Sequence, residues 1–293
     1  MKISTLRDLF HSQLLSLYEE REIEAMFFIY IEDKYNIKKY RYFLNPEAEI
    51  SFQITDLQSL SKGNPLQYVT EKATFCNLQL HVNPSVLIPR QETEELVTHI
   101  INKNVIESPL NFERESCKTR RGGLKILDLC TGSGAIALAL AKNIDNVEIW
   151  ATDISESALA TARHNAHLCN VKITFLHHDI LKDEISFLPD NLDIIVSNPP
   201  YIPFCEQINL HKNVVNYEPL MALFVPDKNP LVFYDAIARN AKKLLRKEGV
   251  LYFETHEKFH SELSAMLVKL DFKEITLWND INGKPRFASC KKL

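Results

Sequence analysis

From residue 124 onward, the sequence alternates short apolar runs with longer segments of helical periodicity, and this alternation limits the folds open to the chain. The expected strands are LKILDLC, NVEIWATD, VKITFLHHD, NLDIIVSN, VLYFETH, KEITLWND and RFASC. The expected helices are 134–142, 155–169 with Ser155 as its N-cap, 230–248 and 260–270. Such alternation predicts an α/β fold with a doubly wound, mostly parallel sheet of seven strands. The last two strands are joined through Asn282-Gly283, a connection too short to cross over, so that pair should be antiparallel.

The N-terminal part of the chain has another character. Up to residue 60, apolar residues recur at helical spacing, and glycine is absent before Gly63. Residues 74–88 alternate apolar and polar side chains around Asn83-Pro84, which suggests a β-hairpin. A charged segment at 107–123 is expected to be a surface loop between domains. The sequence therefore predicts a small helical domain at 1–73, a β-hairpin linker with a connecting helix at 74–106, and the α/β domain at 107–293.

Charge and cysteine content narrow the class of protein. A net charge of −4 over 293 residues argues against a general affinity for nucleic-acid phosphates. The six cysteines include no C-x-x-C pair, and the first residues lack the long apolar core of a signal peptide. Both observations favour reduced thiols and a cytoplasmic protein. The apolar run at 25–31 is too short to span a membrane.

A glycine-rich segment follows the first strand of the α/β region and begins a helix. Its sequence is DLCTGSGAIA, residues 128–137, and Gly132 and Gly134 permit a tight turn and a close ligand. Asp153 ends the next strand, where an acidic residue in doubly wound folds accepts hydrogen bonds from ribose hydroxyls. The segment also fits G-x-G-x-x-A, so that a dinucleotide, and with it a nicotinamide-dependent dehydrogenase, stays open. An ordinary strand–helix turn is the remaining alternative.

Polar side chains stand at or near four successive strand ends. They are Asp128, Asp153, Asp179 and Asn198. Ligands of doubly wound sheets bind beyond the carboxyl ends of the strands, so these four residues are expected to border one pocket.

The fourth of these strands stops at Asn198-Pro199-Pro200-Tyr201. Two prolines cannot extend a central strand, because neither offers an N–H group to a neighbouring strand. The side-chain oxygen of Asn198 and the carbonyl of Pro199 could accept both N–H bonds of a planar NH2 group, and Tyr201 could stack on it. This chemistry needs neither a metal nor a nucleophilic side chain. The alternative is a loop with no chemical role.

A second motif points elsewhere. Residues 256–260 read H-E-K-F-H and match the zinc-protease pattern H-E-x-x-H, which would suggest a zinc hydrolase. The match straddles the end of a predicted strand and the start of a predicted helix, so the two histidines should not share a helix face. We therefore expect no metal site there.

Three segments together resemble the class I, Rossmann-like S-adenosylmethionine-dependent methyltransferases. They are DLCTGSGAIALALA, TDIS with the following AL and TAR segments, and NPPYIP. The N-P-P-Y form is similar to enzymes that methylate planar nitrogen. Among those enzymes, the release-factor glutamine methyltransferases show the greatest resemblance, which four further segments carry. They are GNPLQYVT at 63–70, VLIPRQETEELV at 86–97, YEPLMALF at 217–224 and DINGKPR at 280–286. The resemblance covers about residues 63–293.

This resemblance implies methyl transfer from S-adenosyl-L-methionine, with S-adenosyl-L-homocysteine as product. The acceptor would be the side-chain amide (N5) of the glutamine in the Gly-Gly-Gln motif of class I peptide chain release factors. The helical N-terminal domain would recognise that protein substrate, and Tyr201 would stack on the amide or face the methyl donor. Neither direct nucleic-acid contact, nor a membrane, nor an oligomer is implied, so we expect a monomer.

The same resemblance assigns the site residues. Residues 130–134 would cradle the methionine part, Asp153 would bind ribose, and Asp179 with Ile180 would flank adenine. The cofactor contacts implied are Asp128, Cys130, Thr131, Gly132, Ser133, Gly134, Asp153, Asp179, Ile180 and Asn198. The substrate contacts implied are Asn198, Pro199, Pro200 and Tyr201, and the catalytic residues are Asn198, Pro199 and Tyr201.

Three departures from the family pattern stand out. Cys130 replaces a common glycine, so its turn is expected to avoid a positive φ. Ile180 replaces an aromatic residue, and the family pattern Glu-x-Gly reads Glu254-Thr-His256.

An adenine-N6 methyltransferase acting on RNA or DNA is the alternative enzyme, although the net charge argues against it. A non-enzymatic binding protein is the alternative outside enzymes.

Overall fold

The computed structural model describes residues 1–105, 123–182, 188 and 190–293. The predicted surface loop at 107–123 lies outside the described residues except for its last position. By its internal contacts, the chain divides into two compact units. The first consists of Met1–Lys72, Val82–Pro84 and Leu210–Glu218, and the second of Ala73–His81, Ser85–Asn209 and Pro219–Leu293. The domain boundaries at residues 73 and 106 stay a prediction.

The secondary structure of the described residues follows in chain order. The elements are α1 (Ile3–Leu14), α2 (Glu20–Tyr35), α3 (Lys39–Leu44), α4 (Ile54–Leu60), α5 (Leu66–Thr70), β1 (Lys72–Phe75), β2 (Leu78–His81), α6 (Gln91–Val105), β3 (Leu124–Leu129), α7 (Ala135–Asn143), β4 (Val147–Asp153), α8 (Glu156–Leu168), β5 (Thr174–His177), β6 (Leu192–Ser197), β7 (Ile202–Pro203), α9 (Lys212–Tyr217), β8 (Phe224–Val225), α10 (Val232–Leu244), β9 (Leu245–Glu254), α11 (His260–Lys269), β10 (Phe272–Asn279) and β11 (Pro285–Lys292). Two short 3₁₀ turns lie at Phe204–Asn209 and Leu220–Ala222.

The first unit is helical, as the periodicity of residues 1–60 predicts. Helices α1 and α2 bury an aromatic core, in which the rings of Phe10 and Phe27 meet edge to face at 5.7 Å. Helix α2 ends at Tyr35, and the next residue, Asn36, adopts the left-handed conformation common after helix C-termini. Helix α9 comes from a much later part of the chain and belongs to the same unit. Its Asn213 Nδ2 donates a hydrogen bond to the Tyr18 hydroxyl at 2.7 Å.

The predicted β-hairpin is present, but its turn was placed wrongly. Strands β1 and β2 are joined by Cys76-Asn77, both with positive φ (46° and 62°), whereas Asn83-Pro84 follows the second strand. A two-residue turn with two left-handed residues matches the twist of its flanking strands. Cys76 has no intrinsic preference for that conformation, so the sequence carried little signal for the turn.

The second unit contains the seven-stranded sheet, in the order β10-β11-β9-β6-β3-β4-β5. Strands β9, β6, β3, β4 and β5 pair in parallel, and β11 is antiparallel to both β9 and β10. This confirms the doubly wound, mostly parallel sheet and its antiparallel final pair. Alternate residues of each strand face opposite layers: Ile126 packs with α6 and α7, and Leu127 packs with α10 and α11.

One predicted helix end was wrong. The helix expected at 230–248 ends at Leu244, and β9 already begins at Leu245, which pairs with Leu192 at the start of β6. Residues 245–249 read LRKEG, which does not look like a buried strand. Within this stretch only Leu245 pairs with β6, and the pairing resumes at Val250 after an irregularity. Strand β9 ends at Glu254, at the carboxyl edge of the sheet.

Within the described residues, no helix is both long enough and apolar enough to cross a membrane.

Candidate active site

A cavity of about 420 Å³ lies at the carboxyl ends of the central parallel strands. The loops that follow β3, β4, β5 and β6 all contribute to its wall, as expected for a doubly wound sheet. The predicted site residues that line it are Cys130, Thr131, Gly132, Ser133, Asp153, Asp179, Ile180, Asn198 and Pro200. The predicted residues Asp128, Gly134, Pro199 and Tyr201 lie outside this lining.

The loop between β3 and α7 is held in a strained form. Cys130 has a φ of 61°, so the prediction that it avoids a positive φ was wrong. A left-handed conformation costs a residue with a side chain roughly 1–2 kcal/mol. Backbone pairing across the loop offsets this cost, because the Thr131 N–H donates to the Thr152 carbonyl at 2.9 Å and the Gly134 N–H donates to the Thr131 carbonyl at 2.9 Å.

Asp128 supports this loop from beneath. Its Oδ2 accepts a hydrogen bond from the Thr131 hydroxyl at 2.5 Å and one from the Ala137 N–H at 3.2 Å. The side chain is fully buried, and this burial raises the pKa of Asp128 to about 7, although both hydrogen bonds act in the opposite direction. Asp128 therefore holds the loop in shape from behind the cavity wall.

The two glycines of the loop have different surroundings. A Cβ atom added at Gly132 would meet no atom within 4 Å, and Gly132 lines the cavity. A Cβ atom at Gly134 would come within 3.2 Å of both Ala162 and Leu138. Gly132 thus leaves space for a ligand close to the backbone, whereas Gly134 allows α7 to pack closely on α8.

Asp153 joins this loop to the end of β4. Its Oδ2 accepts the Gly132 N–H at 2.8 Å, and its Oδ1 accepts the Ser155 N–H at 2.9 Å. Burial raises the pKa of Asp153, and the backbone donors partly reverse that shift. Ser155 is the N-cap of α8, as predicted, since its Oγ accepts the Ala158 N–H at 3.2 Å. Each carboxylate oxygen of Asp153 can accept a further hydrogen bond from a ligand in the cavity.

The end of β5 supplies a polar and an apolar part of the wall. Burial acts to raise the pKa of Asp179, but the hydrogen bonds from Lys182, at 3.1 Å, and from the Leu181 N–H, together with the nearby positive charge, outweigh it and lower the net pKa. Asp179 is therefore a carboxylate at neutral pH, and its Oδ1 accepts the Leu181 N–H. Ile180 is buried and offers an aliphatic surface to the cavity.

The segment after β6 carries a hydrogen-bond chain that the sequence did not reveal. Asn198 lines the cavity, and its Nδ2 donates to Oγ1 of Thr93 at 3.2 Å. The Thr93 hydroxyl donates to Oε2 of Glu254 at 2.6 Å, and the Tyr201 hydroxyl donates to Oε1 of the same carboxylate at 3.1 Å. Tyr201 is thus placed beside the cavity wall by its hydroxyl, with its ring 6.0 Å from that of His256.

Thr93 and Glu254 contact predicted site residues, and sequence reasoning assigned no role to either. Thr93 lies in the segment VLIPRQETEELV, and Glu254 ends a parallel strand, as Asp153 does. The position of Glu254 at a strand end was the available signal. Burial raises the pKa of Glu254, while the hydrogen bonds from Thr93 and Tyr201 and the charge of Arg286 lower it.

The histidines of the zinc-like motif have separate partners. Helix α11 begins only at His260, so His256 lies outside it and the helical spacing does not arise. His256 Nε2 contacts Glu206 at 3.3 Å, and His260 Nε2 contacts the Thr255 hydroxyl at 2.6 Å. Across the part of the chain that the structure describes, no group of three or more His, Cys, Asp or Glu side chains is placed to hold a metal.

Four features together define a class I methyltransferase. They are the doubly wound seven-stranded sheet, the glycine-rich loop after β3, the acidic residue after β4 and Asn-Pro-Pro-Tyr after β6. The family described as Methyltransferase domain matches residues 120–286. Two solved structures show the same fold. The human methyltransferase 10 domain containing protein has a TM-score of 0.50 at 15% identity, covering 83% of this chain and 99% of that chain. The 16S rRNA N2 G1207 methyltransferase of T. thermophilus has a TM-score of 0.52 at 19% identity, covering 76% and 50%.

Curated relatives narrow the class further. The release factor glutamine methyltransferase of Flavobacterium psychrophilum is 42% identical over 291 residues, 98% of each chain. The proteins of that name from Bacteroides thetaiotaomicron and Lactococcus lactis are 37% and 40% identical, over 80% and 79% of this chain and 78% and 79% of theirs. The chain belongs to the release factor glutamine methyltransferase family.

Proposed function

We propose that this chain transfers a methyl group from S-adenosylmethionine to the side-chain amide nitrogen (N5) of the glutamine in the Gly-Gly-Gln motif of class I peptide chain release factors. The observation that carries the proposal is that one cavity is bordered by both the glycine-rich loop and Asn198. A methyl donor held by the first and an amide held by the second would then meet in one space. Family membership supports the same substrate.

The residues around the cavity fit S-adenosylmethionine. The open space over Gly132 admits a ligand against the backbone, and residues 130–134 would hold its methionine part. Asp153 would accept hydrogen bonds from the ribose hydroxyls, and Asp179 with Ile180 would border the adenine. When bound, this cofactor supplies an electrophilic methyl group on a positively charged sulfur.

Asn198 and Pro199 would prepare the acceptor. A carboxamide nitrogen is a weak nucleophile, because its lone pair is delocalised into the carbonyl group. Oδ1 of Asn198 and the carbonyl oxygen of Pro199 would each accept one N–H bond of the glutamine, which fixes the nitrogen and stabilises positive charge as it develops there. Pro200 lines the cavity. Tyr201, which follows it, would stack on the planar amide group.

The helical unit would provide the second contact with the release factor. It has its own aromatic core and carries exposed apolar residues on α3, which a protein partner could cover. A monomeric, cytoplasmic enzyme without direct nucleic-acid contact completes the proposal, in line with its net charge.

The decisive experiment supplies the protein with isotope-labelled S-adenosylmethionine and a purified class I release factor, with RNA as a parallel substrate, and maps the label by mass spectrometry. One methyl group on the Gly-Gly-Gln glutamine is expected. A release factor whose motif glutamine is replaced by asparagine is the matched control and should stay unlabelled. Label on adenine in the RNA would contradict the proposal and favour an adenine-N6 methyltransferase.

A further inference from the structure

Three polar side chains form a line from the cavity into the core of the second unit. Nδ2 of Asn198 donates to Oγ1 of Thr93, and this hydroxyl donates to Oε2 of Glu254. Thr93 is 5% exposed and Glu254 only 1% exposed, so water has little access to the inner part of the line. Buried hydrogen bonds of this kind are costly to break or reverse.

The direction of each hydrogen bond in this line is set at its inner end. A carboxylate only accepts hydrogen bonds, and a threonine hydroxyl has a single proton to donate. Since the Thr93 proton goes to Glu254, the Thr93 oxygen can only accept from Asn198. The amide of Asn198 must therefore turn its NH2 group toward Thr93, which leaves Oδ1 to point away from it.

We propose that Glu254, acting through Thr93, is a positioning residue that fixes the amide of Asn198 with Oδ1 available to the substrate nitrogen. This inference rests on the proposed function, in which Oδ1 accepts an N–H bond of the glutamine. The reversed amide would present its own N–H groups to those of the substrate. A planar amide is nearly symmetrical in shape, so packing alone distinguishes these two orientations poorly.

The same carboxyl group also orients Tyr201, the aromatic residue of the Asn-Pro-Pro-Tyr segment. Its Oε1 accepts the Tyr201 hydroxyl, and the Glu254 backbone carbonyl accepts the Tyr234 hydroxyl at 3.2 Å. Burial raises the pKa of Glu254, whereas the hydrogen bonds from Thr93 and Tyr201 and the positive charge of Arg286 act to lower it. Glu92 is the acidic neighbour that acts against ionisation. One buried carboxyl group thus contacts both ends of Asn198-Pro199-Pro200-Tyr201, Tyr201 directly and Asn198 through Thr93.

Two substitutions test this positioning role. Glu254→Gln keeps the volume of the side chain but adds a donor, so either orientation of Asn198 becomes possible. Thr93→Val keeps the shape of the side chain and removes the hydroxyl that donates to Glu254 and accepts from Asn198. Each should lower kcat for release-factor methylation by about 10- to 100-fold, with the cofactor Kd little changed. Thr93→Val should also lower the melting temperature, because it leaves buried polar groups without their hydrogen-bond partner. Thr93→Ser retains the hydroxyl and should restore most of the activity.

The pattern of effects separates positioning from a structural role. A general loss of structure would lower the melting temperature and weaken cofactor binding in all three variants, including Thr93→Ser. That result, or an unchanged kcat in Thr93→Val and Glu254→Gln, would overturn the inference. A rise in KM alone would also contradict it, since a misdirected amide should impair the chemical step.

A second measurement does not depend on the substrate. In ¹⁵N-labelled protein saturated with S-adenosylhomocysteine, the side-chain NH2 resonances of Asn198 should shift in Thr93→Val and Glu254→Gln and stay near their wild-type positions in Thr93→Ser. Unchanged resonances in all three would refute the positioning role. Should the wild-type protein leave the release factor unmethylated, the proposed function fails, and these resonances still decide whether Glu254 orients Asn198.

Discussion

The Oδ2 atom of Asp153 accepts a hydrogen bond from the backbone N–H of Gly132 at 2.8 Å. This contact joins the end of β4 directly to the glycine-rich loop after β3. It gives Asp153 two tasks, since the carboxylate also faces the cavity, where a ribose would lie. The loop and the proposed ribose contact would therefore depend on one side chain.

We expect Asp153→Ala to raise the Kd for S-adenosylmethionine by about 10- to 100-fold, the usual loss when hydrogen bonds to a charged group are removed. Isothermal titration calorimetry would measure it. Asp145→Ala removes an exposed carboxylate from the same unit and serves as the matched control, with no change expected. An unaltered Kd in Asp153→Ala would exclude the ribose contact.

The two glycines of the loop should respond differently to alanine. Gly132→Ala places a methyl group in the open space of the cavity, so cofactor binding should be lost while stability falls by only about 1 kcal/mol from the left-handed backbone. Gly134→Ala presses on Ala162 and Leu138 and should cost about 2–4 kcal/mol of unfolding free energy. Urea denaturation and cofactor titration of both variants would test this contrast. Equal effects of the two substitutions on both properties would contradict it.

Removal of the Asn198 side chain should separate binding from chemistry. Asn198→Ala takes away the predicted acceptor for the glutamine N–H and should lower kcat by about 10²- to 10³-fold. The cofactor loop is held by Asp128 and Asp153, so the Kd for S-adenosylmethionine should change little. Single-turnover kinetics with a release factor would give the rate of the chemical step. Turnover close to that of the wild type would rule out the amide clamp.

Much of the architecture could be predicted because it depends on local patterns. The strands of the sheet are apolar runs bounded by polar residues, and the side chains at their carboxyl ends could be read directly as one site. Ser155 could be identified as an N-cap from its own position in the sequence. These features involve neighbouring residues, so the sequence contains their signal.

The features that were missed depend on contacts between distant parts of the chain. The Thr93–Glu254 hydrogen bond joins residues 161 positions apart, and no local pattern marks Thr93 as its donor. The positive φ of Cys130 follows from pairing between the loop and Thr152 on another strand, which outweighs the preference of a cysteine. The end of α10 was likewise set by pairing of Leu245 with Leu192. Tertiary contacts decided each of these cases.

The exposed end of α3 offers a test of the proposed role of the helical unit. Phe43 and Leu44 are 64% and 80% exposed, which is unusual for adjacent large apolar residues. Phe43→Asp should raise the KM for the release factor by about tenfold, as loss of an interface anchor does, without changing the cofactor Kd. Leu168→Asp, at a 55% exposed position on α8, is the matched control and should leave KM unchanged. Identical KM values for all three proteins would exclude α3 from the interface.

The buried carboxyl of Asp128 should make stability depend on pH. Its pKa is raised from an ordinary value of 3.8 to about 7 in the folded state, so between these values the folded protein retains a proton that the unfolded chain has lost. The stabilising contribution is therefore complete below about pH 4 and is lost as pH rises to about 7, by about 1.4 kcal/mol per pH unit. Asp128→Asn removes this titration but can still accept the Thr131 hydrogen bond. Denaturation curves of both proteins between pH 4 and 8 should show the variant gaining stability relative to the wild type up to about pH 7. A constant difference over that range would show that Asp128 titrates normally in the folded protein.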